Sequence, residues 1–131
     1  MASELRVNTL KDASGNNSVG MSYVANGSAK IWANWTQVST QTVRDSLNVS
    51  SITDAGTGVT FPVSFTSAMA NNDYAGSYYT MAASGEARSS WNNDYVGGFG
   101  DKTTSQFGTQ SYAAALVDSG VNDVTIQGDL A

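Results

Sequence analysis

The sequence predicts an all-β domain, a jelly-roll-like β-sandwich of short antiparallel strands, and three observations carry that prediction. Charged residues are only 13% of the chain, while Gly, Ser, Thr and Asn are abundant, a balance that suits strands and tight turns more than helices. Val59, Phe61, Val63 and Phe65 fall on every second residue, so a strand there presents all four to a core. Clusters of turn formers separate the apolar stretches throughout. At 131 residues the chain fits one domain, residues 1–131, burying roughly two-thirds of its unfolded surface.

In order, Leu5, Val7 and Thr9 alternate with polar residues, an opening strand that stops at the turn formers of residues 11–17. Residues 1–17 also read as an arm: Leu5, Val7 and Leu10 are short, terminal, amphipathic candidates for docking or subunit contact. Val19, Met21 and Tyr23 alternate next, and Asn26-Gly27, the strongest two-residue hairpin signal, is expected to join strands 18–24 and 30–35. In the second of these Ile31, Ala33 and Trp35 share one face and Trp32 and Asn34 the other. An outward Trp32 is explained by cover from a neighbouring subunit or the N-terminal segment, or by a role as a sugar-stacking platform.

Residues 43–65 read as a hairpin, with a bulge near Ser50 and Ser51 and a loop of Asp54, Gly56 and Gly58. Pro62 points to a sheet edge for its second arm. Residues 74–83 follow as a strand, with Tyr74 and Tyr78 facing opposite to Tyr79 and Met81 and cover expected on both sides. Residues 86–90 read as a polar crossing and 97–101 as a glycine-rich loop. Residues 106–117, where Tyr112, Ala114 and Leu116 alternate, read as a strand or as one or two turns of helix. Val124 and Ile126 mark the last strand, which closes at Gly128-Asp129.

Composition excludes much chemistry. Histidine and cysteine are absent, which removes the commonest general base, the usual zinc ligands, the thiol nucleophile, the ordinary Ser-His-Asp triad and any disulfide. Carboxylate pairs would serve glycoside hydrolysis. The acids, however, are mostly single residues in predicted turns, such as Asp12, Asp54, Asp73, Asp94 and Asp101, where capping is their ordinary role. Asp94 and Asp101 offer oxygens to calcium, but the Asp-rich loop pattern of a calcium hand is missing. The chain therefore reads as non-enzymatic, with no cofactor and no metal. A net charge of −5 without a basic cluster excludes nucleic acid and makes an anionic membrane a poor partner. No signal-peptide pattern and no membrane-length apolar run occurs, so synthesis in the cytoplasm and no membrane insertion are expected. A surface rich in Asn, Ser, Thr, Tyr and Trp suits binding or assembly; Trp32, Tyr78, Trp91 and Tyr95 are the candidate glycan or partner contacts.

Residues 5–16, 23–30 with Trp32 and Asn34, 44–54 with Gly56, 65–69 leading to Tyr74, 117–119 and the closing Gly128-Asp129 carry a resemblance. With these segments in this order, the chain resembles small tail-fibre or virion structural proteins of tailed phages, particularly those of cyanophages and other aquatic phages. That family commonly has an aromatic residue before the closing Gly-Asp, where this chain has Gln127, and residues 84–108 follow no pattern of the family. The resemblance implies a β-sandwich assembling as a homotrimer on a virion, as a tail fibre, tail appendage or head decoration. Its implied partners are other copies of itself, tail or baseplate proteins and, at the far end, a host surface glycan.

Overall fold

The computed structural model describes residues 3–81, 87–92, 102–113 and 115–131. In chain order the elements are β1 (Thr9–Lys11), β2 (Ser18–Gly20), α1 (Met21–Gly27), β3 (Ala29–Thr36), β4 (Thr42–Leu47), β5 (Val49–Gly56), β6 (Val59–Phe65), β7 (Ala75–Met81), β8 (Ala87–Asn92), β9 (Gln106–Ala113), β10 (Ala115–Leu116) and β11 (Val121–Gln127). Among the described residues the fold is all-β apart from α1, and every strand pairing is antiparallel. β1 and β2 form a separate two-stranded sheet. Among the described residues the other strands follow the order β4-β3-β11-β7-β8-β9-β6-β5, with β10 added to β9.

The N-terminal region corrects three expectations. The opening strand is Thr9–Lys11 rather than the Leu5 to Thr9 alternation, because only this stretch is paired, Thr9 with Gly20 and Lys11 with Ser18. Asp12 fixes the intervening turn, taking hydrogen bonds from Ser14 Oγ at 3.0 Å, Asn16 N at 3.0 Å and Asn17 Nδ2 at 2.6 Å. The strand expected over 18–24 stops at Gly20, and Met21 begins α1. Asn26-Gly27 therefore ends a short helix and does not turn a hairpin. β3 pairs with β11 and β4, and β2 with β1, so the local turn signal loses to tertiary pairing.

The 43–65 stretch is three strands, not two. β4 and β5 lie at opposite ends of the strand path yet are joined by a single residue, Asn48, whose φ is 57°. The sheet therefore curls until its two ends meet at this corner. Asn48 ties the corner down: its Oδ1 accepts from Ser67 N at 2.7 Å and its Nδ2 donates to Ser67 O at 3.1 Å. β5 and β6 form the expected hairpin, and the register shift between Val49 and Ser51 is the expected bulge. Gly56 and Gly58 have φ of 125° and 67°, and Gly56 N donates to Asp54 Oδ1 at 2.9 Å.

Within β6, Val59, Val63 and Phe65 are buried, but Thr60 is buried too and Phe61 only half so. Both ladders of this strand shift register between Thr60 and Val63, and the irregularity exchanges the inward phase. Pro62 sits inside it. β6 runs between β5 and β9 and is no edge strand, so the missing N–H of Pro62 is accommodated by the irregularity and not by an edge.

β7 begins at Ala75 and faces as predicted, with Tyr78 inward and Tyr79 outward, but Tyr79 is 48% exposed, so among the described residues its outer face lacks the expected cover. The polar crossing of 86–90 is largely strand: β8 pairs with β7 at Thr80 and Met81 and then with β9 from Ser89 to Asn92, so it carries the sheet from one half to the other. Its pairing comes from its neighbours and has no apolar alternation to announce it. In the 106–117 stretch Gln106–Ala113 and Ala115–Leu116 are strand, β9 and β10, with Tyr112 and Leu116 exposed and Phe107 and Ser111 buried, while Ala114 lies outside the described residues. The glycine-rich 97–101 loop lies outside the described residues.

One core unites the two halves of the sheet. Ile31, Ala33, Trp35, Val124 and Ile126 from β3 and β11 pack with Val63, Phe65 and Phe107 from β6 and β9, joined by Met69 and Tyr74. Trp35 stacks on Tyr78 with ring centroids 5.8 Å apart and planes 11° from parallel. Gly58, at the turn between β5 and β6, packs closely against backbone at Ser111 and Val117. A Cβ there would lie 2.5 Å from Val117 N and 2.7 Å from Ser111 O, at a positive φ. Both neighbours are backbone and cannot swing away. Gly58→Ala is therefore expected to destabilise the protein by about 3 kcal/mol in urea denaturation, whereas Gly15→Ala, with open space around it, should lose less than half of that.

Candidate functional site

The residues singled out from sequence separate into three places. Leu5, Val7 and Leu10 lie on an N-terminal arm in which no described side chain is buried: Leu5 is 79% exposed and Leu10 43%, with Val7 half-buried. Val19, Tyr23 and Val24 add further exposed apolar surface on β2 and α1. The arm reaches the main sheet where Gln127 Nε2 donates to Gly27 O at 3.1 Å. Its ion pair of Arg6 with Glu4 is solvent-exposed and contributes little to stability.

The Asp12 turn gives this arm a pH dependence. The hydrogen bond from Ser14, followed by those from Asn17 and Asn16, holds the Asp12 carboxyl below its ordinary 3.8. A depressed carboxyl contributes order above its unfolded value and loses it as pH falls through the lower folded one. The amide resonances of Asn16 and Asn17 are expected to titrate below pH 3.8, and in Asp12→Asn that titration should vanish.

Trp32 and Tyr78 lie on opposite faces of the same half of the sheet. Tyr78 points into the core: its hydroxyl donates to Asn122 Oδ1 at 2.6 Å, and burial pushes its phenol pKa up. Asn122 Oδ1 also accepts from Thr80 Oγ1 at 3.1 Å and Ser111 Oγ at 3.3 Å, so Tyr78 belongs to a buried polar network linking β7, β9 and β11. Trp32 is on the outer face, opposite Leu47 of β4 and Thr125 of β11. Sequence reasoning missed the ring that shares this face, Tyr79, although the alternation along β7 already set it opposite to Tyr78. Trp91 is on β8, opposite Gln110; its side chain, and all of Tyr95, lie outside the described residues.

Between Trp32 and Tyr79 the outer face is polar. Asn34 stands between Asp45 of β4 and Asp123 of β11, and Asp123 stands opposite Tyr79. Arg44 donates to Asn34 Oδ1 at 3.1 Å and to Gly120 O at 2.8 Å, and the Asn34 amide donates in turn to Asp123 Oδ1. These hydrogen bonds hold the three side chains in place.

Inside the sheet, β8 leaves β7 after two paired residues, and a cavity of about 160 Å³ lies between β7 and β9. Gly76, Tyr78, Phe107, Val124 and Ile126 line it. Its volume is below the roughly 300 Å³ at which small-molecule pockets begin. Among the described residues no group of three or more acids gathers to hold a metal ion, and no helix is long and apolar enough to cross a membrane. Asp94 and Asp101, the candidate calcium oxygens, lie outside the described residues. No family model, curated protein or solved structure matches the chain.

Proposed function

We propose that this chain is a non-enzymatic structural protein of a phage virion, a short tail fibre or tail appendage that assembles as a homotrimer. The observation that carries the reading is the arm: residues 3–28 form a hairpin and a helix with no buried side chain, and Leu5, Leu10, Val19, Tyr23 and Val24 stand exposed on them. A two-stranded hairpin is marginal by itself in water, and a seven-residue helix is too short to hold alone. Cover for the arm then comes from other chains, and closed symmetry among identical copies is the commonest source of such cover. With no cysteine in the chain, association is the remaining staple.

The resemblance to small phage tail-fibre proteins, with two of its segments, 5–16 and 23–30, in this arm, supplies the virion setting. In this reading the curled sheet is a jelly-roll-like sandwich, made in the host cytoplasm, with tail or baseplate proteins at one end and a host surface glycan as a further partner. A head decoration protein is the nearest variant of the same reading.

Light scattering after size exclusion tests the assembly: a trimer is expected at micromolar concentration, and a monomer would end this reading. Leu10→Asp combined with Tyr23→Asp should give a monomer with an unchanged far-ultraviolet spectrum. Deletion of residues 1–17 should likewise abolish assembly or attachment while leaving the core folded. Mass spectrometry of purified particles tests the setting, with the chain expected among the particle proteins.

A further inference from the structure

We propose that the outer face of β4, β3, β11 and β7 is a binding site for an extended, uncharged oligosaccharide, with Trp32 and Tyr79 as its two stacking platforms. Register fixes the arrangement. Trp32, Thr125 and Ser77 form one row across β3, β11 and β7, and Asn34, Asp123 and Tyr79 form the row two residues along. With strands near 4.8 Å apart and a rise near 3.4 Å per residue, the Cα atoms of Trp32 and Tyr79 are about 12 Å apart on one face. A single pyranose ring does not reach both platforms. A ligand that stacks on both is a chain of sugars crossing the sheet diagonally.

The groups between the platforms suit that ligand. Asp123 takes the Asn34 amide on Oδ1, which leaves Oδ2 to accept from a sugar hydroxyl, and the exposed Thr125 hydroxyl both donates and accepts. The fixed Arg44, Asn34 and Asp123 chain spares the ligand the cost of ordering these side chains. Charge selects within the class. Among the described residues Asp45 and Asp123 share this face with two cations, both already engaged, Arg44 with Asn34 and Gly120 and Lys30 with Ala25 O and Ser28 Oγ, so uronic or sulfated chains meet carboxylates without a free cation and neutral chains are accepted. The same two carboxylates argue against a protein partner here, since the centre of a protein interface is depleted of charge.

This site is independent of assembly through the arm, so the two readings fail separately. Calorimetric titration of the full chain with cellohexaose, chitohexaose and mannohexaose, and with polygalacturonate as the anionic comparison, tests it. At least one neutral hexasaccharide is expected to bind, with affinity falling about tenfold or more in Trp32→Ala and in Tyr79→Ala. Tyr112→Ala, an exposed ring on β9, should bind as the parent does. Melting curves establish that each variant is folded. The proposal is overturned if none of the three neutral chains binds, if binding ignores both substitutions, if only polygalacturonate binds, or if Trp32→Ala changes the oligomeric state and leaves sugar binding intact.

Discussion

Trp35→Ala should cost about 4 kcal/mol of stability in urea denaturation, the range for truncating a fully buried aromatic side chain. The ring has no exposed surface, packs in the cluster that joins the two halves of the sheet, and stacks on Tyr78. Its Nε1 donates to Thr60 Oγ1 at 3.3 Å, so truncation also leaves a buried hydroxyl without that donor. Against a total of roughly 5–15 kcal/mol for a domain, such a loss brings the protein close to unfolding at ordinary temperature. Trp35→Phe keeps a ring against Tyr78 and gives up the hydrogen bond, and its loss should be less than half as large. Equal losses in the two variants would show that the stack contributes little.

Asn122→Ala is the second large loss, about 3 kcal/mol, and it arises from polarity, not volume. One carbonyl oxygen accepts from Tyr78, Thr80 and Ser111, while the amide nitrogen donates to Trp35 O and Ser119 O, both at 3.4 Å. Asn122, Thr80, Ser111 and Ser119 are buried and Tyr78 is half-buried, and removing the hub leaves several polar groups without that partner at once. The control is Thr125→Ala, on the exposed outer face of the same strand, where a change within about 0.5 kcal/mol is expected. If Asn122→Ala denatured at the parent midpoint, the network would be dispensable.

The inward faces of the regular strands were legible in the sequence. Along β3, Ile31, Ala33 and Trp35 are buried and Trp32 and Asn34 half-buried on the other side, as strict alternation requires. The same rule oriented Tyr78 and Tyr79. It failed in β6, where an irregularity inside the strand exchanged Thr60 for Phe61, and two-residue periodicity carries no mark of where a ladder slips. It failed again at 18–24: Val19, Met21 and Tyr23 alternate, yet only the first of them is on a strand, because the partner β1 supplies three residues of pairing and no more. β8, with no apolar alternation, was missed for the complementary reason.

The candidate oligosaccharide site was half legible. An outward Trp32 followed from its neighbours, and Asn34 beside it from the same alternation. That Tyr79 is its companion depends on β11, the last strand in the chain, inserting between β3 and β7. No local signal reports that insertion, because strand order is set by which surfaces bury one another once the chain has collapsed.

Few charges, no cysteine or histidine, alternating apolar residues and frequent turn formers are enough to specify an all-β class with little of the usual catalytic chemistry. These properties are local or compositional, and they survive any rearrangement of the strands. Three-dimensional pairing alone sets β4 and β5 at opposite ends of one curled sheet, locks Tyr78 to Asn122, and puts Trp32 and Tyr79 on one outer face. Each of these joins residues far apart in the chain, and such pairings are chosen by burial and register across the whole sheet rather than by neighbours in sequence.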